Sequence, residues 1–307
     1  MAQQQKLDMN PSGTSAPLSP DTSLHAAIAA FQPYMEQRGF SPHTIEAFTS
    51  DLEILEEFAG VGTAIGQIGT RTLNAFVQWL KHGRGVPCSP KSLARRITTL
   101  KVFFGWLAET EVLPQDPAAP VVHKPVVTPL PTFLSPPEVE RVLEVTRAMR
   151  TADPPDARPH LLVTLILHTG IKKGECMSIV LNHIDRSDPQ QPVLWVRYAD
   201  PNRRYKERKI GLPTGWLEVL DEYREQYEPE DVLSPWTPRN LEYVLKDVAE
   251  QADLPEGLSF ETLRWTCAVR DHRSGMDPDR LRQKLGLSKI SWRETGDKIA
   301  RLAADPL

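Results

Sequence analysis

The chain has 307 residues and a formal net charge of -4, with 40% hydrophobic and 25% charged residues. This composition is typical of a soluble globular protein with room for two domains, and no apolar run approaches the roughly 18 residues that would predict a membrane span. The cysteines, Cys88, Cys176 and Cys267, lack metal-ligand spacing, so we expect no metal or cofactor and a reduced, cytoplasmic compartment.

The first third of the chain predicts a polar tail followed by a small helical domain. Residues 1–21 lack the apolar core of a signal peptide and are expected to be disordered. Serine–proline pairs at Ser41 and Ser89 are helix start signals, because serine caps the first turn and proline fits the first helical position. Apolar residues at helical spacing follow each pair. A four-helix domain is predicted over 22–118, with its other helices near 23–38 and 70–82.

The helix that begins after Ser89 has a basic face. No acidic residue occurs over 59–108, whereas this helix carries Lys91, Arg95 and Arg96. A local basic cluster favours a polyanion as partner. A solvated face balanced by acids elsewhere in the fold is the alternative, and charge alone does not separate the two.

A proline-rich stretch over 119–134 predicts a stiff, extended linker to a second domain over 135–307. Within that domain, "PVLWVRY" and "ERKIGLP" have the alternation of strands, and "ADPNRRYK" between them forms a hairpin tip. Helices are predicted near 135–149, 158–169, 214–226, 237–252, 260–274 and 278–285, with a short helix after Gly170 and a closing helix from about Ser288.

Three stretches of the second domain occur in an informative order. They are "HTGIKKGECMSIVLNHID", a basic hairpin ending in "KERKIGLP", and "LSFETLRWTCAVRDHRSGMDPDRLRQKLGLSKISWRETG". This order resembles the catalytic domain of the tyrosine recombinases, the group of phage integrases and chromosome-dimer-resolving recombinases. The resemblance implies a mainly α fold with a small β-hairpin sheet. An N-terminal four-helix, SAM-like core-binding domain would precede an α+β catalytic-type domain.

The chemistry that this resemblance implies is specific. In the family, a tyrosine hydroxyl attacks a DNA phosphodiester and forms a 3′-phosphotyrosyl link. Two arginines bind the non-bridging oxygens, whose charge rises in the transition state. A lysine on the hairpin protonates the leaving 5′-oxygen, and histidines assist proton transfer and phosphate binding.

The first half of that catalytic set is altered at the matching positions. The family motif "TGxR" is here "TGIK", which places Lys172 at the first arginine and removes the bidentate fork. Glu175 matches the acidic residue of the family. Arg203 aligns with the hairpin lysine and is a poor general acid, since its pKa is above about 12. A small shift of register would place Lys206 there instead.

The second half is altered further. Arg264 matches the second arginine in "ETLR", but Glu261 replaces the histidine of that motif. Leu287 replaces the histidine of "LGH". Gly296 stands where the nucleophilic tyrosine belongs and offers no nucleophile. We therefore predict that the site does not cleave DNA.

Loss of catalysis need not remove DNA binding, because most of the affinity in this family comes from phosphate contacts that both domains supply. For Arg264 the alternative is a structural ion pair with Glu175 or Asp185. The resemblance implies DNA contacts by Lys91, Arg95, Arg96, Lys172, Arg203, Arg204, Lys206, Arg208 and Arg264.

Three functions fit this sequence. The leading hypothesis is an inactive protein that binds double-stranded DNA as an accessory, architectural or regulatory factor in recombination or integration, nucleoid-associated if bacterial. It would assemble with itself or with other recombinase subunits through its C-terminal helix. The second is an active recombinase whose nucleophile is unusual, such as Ser291 or Thr295, or comes from a partner. The third is a protein-interaction scaffold without DNA binding, which the net charge and Glu261 motivate.

Overall fold

The computed structural model describes residues 17–122 and 129–304, which form two compact units with a boundary between Thr128 and Pro129. Each unit has its own hydrophobic core. Most of the predicted tail, the middle of the predicted linker and the last three residues lie outside the described residues. Among the helices that are described, none is long and apolar enough to span a membrane.

The first unit contains the four predicted helices. Ser23, Ser41 and Ser89 cap three of them, each accepting a hydrogen bond from the backbone N–H three residues on. Aromatic side chains fill the core, with Phe31 and Phe103 in edge-to-face contact at 5.2 Å between ring centroids. The helices are α1 (Leu24–Gln37), α2 (Pro42–Ala59), α3 (Thr70–His82) and α4 (Pro90–Glu109).

The second unit contains the remaining predicted helices and a small antiparallel sheet in the order β1-β2-β3. The sequence did not predict β1, because two residues are too short to show alternation. The hairpin tip forms a 3-10 helix over Pro201–Lys206. The strands are β1 (Ile184–Asp185), β2 (Val193–Val196) and β3 (Arg208–Gly211). The helices are α5 (Pro136–Arg150), α6 (Arg158–Thr169), α7 (Lys173–Met177), α8 (Trp216–Tyr227), α9 (Pro238–Gln251), α10 (Phe260–Arg273), α11 (Pro278–Lys284) and α12 (Lys289–Ala304).

Helix α6 lies at the centre of the second unit. Its sequence is apolar almost all round, so nearly every side chain is buried, and α5, α8, α9 and α10 pack against it. It ends at Gly170, whose φ of 60° is the left-handed conformation that favours glycine. A Cβ here would lie 2.8 Å from Leu285 Cδ2. Gly170 therefore allows the close approach that sets α7 beside the end of α11.

Candidate functional site

Four of the six predicted catalytic positions line one cleft of about 630 Å³ in the second unit. Thr295, the neighbour of Gly296, lines it as well. Arg203 lies apart, on the exposed 3-10 helix of the hairpin tip. The four lining positions are Lys172, Glu261, Arg264 and Leu287.

The cleft is built on helix starts. Lys172 precedes the first turn of α7, where the Glu175 carboxylate accepts a hydrogen bond from the Lys172 backbone N–H at 2.8 Å. Ser259 caps α10 by accepting a hydrogen bond from the Thr262 N–H, and this sets Glu261 and Arg264 in the first turns of the helix.

Four consecutive carbonyls at the end of α11 accept hydrogen bonds from cationic side chains. Carbonyls at a helix C-terminus lack partners within the helix and carry the negative end of its dipole, so they attract cations. The pairs are Arg208 Nε with the Lys284 oxygen (2.7 Å), Arg264 with Leu285 (2.7 Å), Lys172 Nζ with Gly286 (3.2 Å) and Arg282 with Leu287 (3.1 Å). The carbonyl dipoles of this turn thus stabilise cationic side chains in and beside the cleft.

Arg264 also donates to the carbonyl oxygen of Gly170. Its partners are therefore backbone carbonyls, rather than the carboxylate of Glu175 or Asp185 that the sequence offered as an alternative. Burial lowers the pKa of the Arg264 guanidinium to about 10, so the group stays charged near neutral pH.

Arg208 and Glu175 form a buried ion pair beside the cleft. The side chains are 9% and 3% exposed, and two guanidinium nitrogens lie 3.0 and 2.9 Å from the carboxylate oxygens. Arg208 was predicted to contact DNA, but the pair and the Lys284 carbonyl already engage its guanidinium. We therefore assign Arg208 to the framework of the cleft.

Tyr198 completes this buried group by donating its hydroxyl to Glu175. Burial alone would raise the pKa of the Glu175 carboxyl, but Arg208, Tyr198 and the Lys172 N–H outweigh it and hold the pKa at about 2. Burial and Glu175 raise the pKa of Tyr198 to about 12. Sequence reasoning missed Tyr198, although the alternation of "PVLWVRY" continues past β2 and places it on the same side as the buried Leu194 and Val196.

Lys172 is half-buried, and the pKa of its ammonium is lowered far enough that the group can lose its positive charge near pH 8. Burial is the largest cause that lowers its pKa, and the neighbouring charges of Arg264, Lys206 and Arg208 lower it further. Glu175 opposes them, and the resulting pKa is about 8. An arginine at this position would stay charged at that pH.

Gly296 lies in the middle of an uninterrupted helix. A Cβ at this position would meet the indole of Trp292, one turn earlier, at 3.0 Å. Trp292, Trp265 and Leu287 pack together against a small core formed by Ala268, Leu281, Leu285 and Ile299. The Trp292 indole therefore lies against Gly296, the position that the sequence predicts for the family's nucleophile.

The hairpin tip carries the most exposed of the predicted contacts. Arg203 and Arg204 are exposed, and Arg203 forms an ion pair with Asp200 at 3.4 Å. Tyr205, between Arg204 and Lys206, is 71% exposed. Sequence reasoning missed Tyr205, although a lone aromatic residue among the cations of "NRRYK" was a visible signal.

The predicted basic face of α4 is partly used inside the first unit. The buried carboxylate of Asp51 accepts hydrogen bonds from Thr99 and forms ion pairs with Arg95 and Arg96, at 2.9 and 3.3 Å. Burial is the main reason that the pKa of Asp51 is raised. Arg96 is only 12% exposed, so we assign it to the fold, whereas Lys91 and Arg95 remain exposed.

Among the described residues, no group of three or more His, Cys, Asp or Glu side chains lies close enough to hold a metal ion.

Comparison with known proteins shows which proteins this chain is similar to. Residues 28–111 match the family model of the phage integrase N-terminal SAM-like domain. The chain is 25% identical over 281 residues to tyrosine recombinase XerC of Lacticaseibacillus casei (strain BL23), covering 86% of this chain and 91% of the relative. It is 26% identical over 287 residues to XerC of Anoxybacillus flavithermus, covering 88% and 91%. The chain is thus similar to tyrosine recombinases over most of its length.

Solved structures agree on the fold. A lambda integrase dimer bound to a COC′ core site has a TM-score of 0.70 at 15% identity, over 93% of this chain and 80% of that one. The XerH site-specific recombinase bound to difH substrate has a TM-score of 0.66 at 17% identity, over 88% and 81%. The tyrosine recombinase fold thus extends over both units of this chain.

Proposed function

We propose that this tyrosine recombinase homologue binds double-stranded DNA without cleaving it, as an accessory, architectural or regulatory factor in recombination or integration. The observation that carries the proposal is Gly296 in α12, where the family's tyrosine belongs, with the Trp292 indole against it. A glycine supplies no atom that could attack phosphorus.

The other cleft residues support the loss of chemistry. Leu287 cannot transfer a proton, and the carboxylate of Glu261 would repel a phosphate. Ser259 and Thr295 supply the hydroxyls among the described residues that line the cleft, and Ser259 already caps α10. An unactivated alcohol is a weak nucleophile, so Thr295 is a poor substitute for the tyrosine.

Exposed and half-buried cations in both units support retained DNA binding. Phosphate contacts by lysine and arginine supply sequence-independent affinity and do not need a catalytic site. Arg96 and Arg208 are excluded, because their side chains are engaged within the fold. The remaining candidates are Lys91, Arg95, Lys172, Arg203, Arg204 and Lys206, with Arg264 as the most deeply buried.

The first experiment measures binding of a fluorescein-labelled duplex by anisotropy between about 50 and 200 mM salt. A protein with six or more phosphate contacts should lose about 10³-fold or more in affinity over this range. Replacing Lys91, Arg95, Arg203 and Arg204 by alanine should weaken binding and flatten the salt dependence. Lys246→Ala is the matched control, since this exposed lysine pairs with Glu250 on α9. Binding that is absent even at low salt would favour the scaffold hypothesis instead.

A second experiment tests for cleavage. A nicked substrate that traps covalent intermediates is incubated with the protein and resolved under denaturing conditions. We expect no protein–DNA adduct. An adduct would contradict the proposal and favour the active alternative. Loss of that adduct in Thr295→Val but not in Ser291→Ala would identify Thr295 as the nucleophile.

A further inference from the structure

The 3-10 helix at the hairpin tip is fixed at both ends. At its start, the Asp200 side chain accepts a hydrogen bond from the Asn202 N–H at 2.9 Å and pairs with Arg203. At its end, the Glu207 N–H donates to the Arg204 carbonyl at 2.9 Å, and the Glu207 carboxylate accepts from the Tyr198 N–H at 3.1 Å. The tip is therefore a preorganised element that needs little further ordering on binding.

Tyr205 projects from this element with 71% of its surface exposed. Its phenol ring is therefore accessible to a ligand on an element that is already ordered. The Lys206 ammonium lies 5.3 Å from the ring centroid. None of the hydrophobic core clusters of the described residues includes Tyr205.

The surroundings of Tyr205 are cationic. Arg203 and Arg204 precede it, and it borders a pocket of about 450 Å³ between the tip and the turn from α11 to α12. Lys206 and Lys289 line this pocket together with Glu207, and Arg208 and Arg282 line it while paired with Glu175 and Asp279. An aromatic face among cations fits a ligand that offers both flat rings and phosphates, which is a nucleic acid.

We propose that Tyr205 stacks on an exposed nucleobase, so that the hairpin tip prefers DNA whose base stack is interrupted. In a continuous duplex, neighbouring bases cover both faces of every base, and only groove edges and phosphates are accessible. A gap or a branch exposes a base face, on which the phenol ring can stack while the flanking cations bind phosphates. This proposal rests on the proposed DNA binding and adds the class of DNA that the site recognises.

The test compares two labelled DNAs of equal length, a continuous duplex and the same duplex with a one-nucleotide gap bordered by 2-aminopurine. Tyr205→Ala should weaken binding of the full chain to gapped DNA by about 5- to 100-fold, the range of a base–aromatic stack. Its binding to the continuous duplex should change by less than about threefold, because the stack is not available there. Tyr205→Phe keeps the ring and should retain the wild-type preference.

Tyr243→Ala is the matched control, since Tyr243 is 55% exposed on α9 of the same unit. This substitution should not change the affinity for either DNA. At saturating protein, the wild type and Tyr205→Phe should quench 2-aminopurine, and Tyr205→Ala should not. Equal loss on both DNAs, or Tyr205→Ala behaving like Tyr243→Ala on gapped DNA, would overturn the stacking proposal. Salt-dependent duplex binding by the wild type would then still support the proposed function, whereas failure to bind either DNA would overturn both.

Discussion

Two groups of cations in the second unit look alike in sequence but differ in their surroundings. The cleft group, Lys172, Arg208 and Arg264, faces carbonyls at the end of α11 and the buried Glu175. The tip group, Arg203, Arg204 and Lys206, lies on the 3-10 helix of the hairpin tip. Hydrogen bonds to the main chain restrain the first group, and burial lowers the pKa of its Lys172 to about 8. Exposure leaves the second group available to a polyanion and sensitive to salt.

The largest expected effect comes from breaking the buried pair of the cleft group. Glu175→Ala should lower the free energy of unfolding by about 3–5 kcal/mol, because it leaves the Arg208 charge buried and uncompensated. Urea unfolding measures this. Arg208→Met in the same chain should recover part of the loss, and a loss below about 1 kcal/mol for Glu175→Ala alone would show that the pair is not structural.

The same pair predicts a response to acid. The pKa of Glu175 is about 2, below its ordinary value of 4.5, so the stability it contributes is complete above pH 4.5 and is lost as the pH falls towards 2. Glu175→Gln should flatten the pH dependence of stability in this window. A wild-type curve that matches the variant curve would contradict the assignment.

The tip group should behave in the opposite way. Changing Arg203, Arg204 and Lys206 to glutamine should weaken duplex binding about 10- to 100-fold at low salt. The salt slope should fall by about 2.7, because each phosphate that these side chains neutralise contributes about 0.9 to it. Stability should change by no more than about 0.5 kcal/mol, as is usual for exposed positions. An unchanged slope would remove the tip from the DNA-binding surface.

Lys172 sharpens the comparison, because it is the cleft cation that titrates near neutral pH. With a pKa of about 8 in the free protein, it must take up a proton to contact a phosphate at higher pH. Affinity should therefore fall above pH 8, by up to about tenfold per pH unit. Lys172→Arg should remove this dependence in anisotropy measurements between pH 7 and 9. If both proteins titrate identically, Lys172 does not contact the DNA.

The smallest effect concerns Gly296. Alanine in a helix interior is favoured over glycine by about 1 kcal/mol, but here its Cβ would meet Trp292 at 3.0 Å. Gly296→Ala should therefore change stability little in the wild-type chain and stabilise it by about 0.5–1 kcal/mol in a Trp292→Ala background. Additive effects in the two backgrounds would show that the indole does not constrain this position.

The sequence predicted the helices well, because serine caps, prolines and helical spacing are local signals. The sequence offered Glu175 as a partner of Arg264, but in the structure Glu175 pairs with Arg208. This pairing was not predictable, since it depends on how β3 and α7 meet in three dimensions. The same limit applies to Arg96, which reads as part of a basic face but pairs with Asp51, 45 positions away. Local patterns thus locate charged side chains, and tertiary packing decides which of them remain free.

The turn after α11 has a consequence for mutational tolerance. Its four carbonyls hold the cleft cations through the main chain, so the contacts do not depend on which side chains the turn carries. A substitution of the Leu287 side chain should therefore leave these main-chain contacts in place. A proline that redirected the backbone of this turn would disrupt the whole cluster.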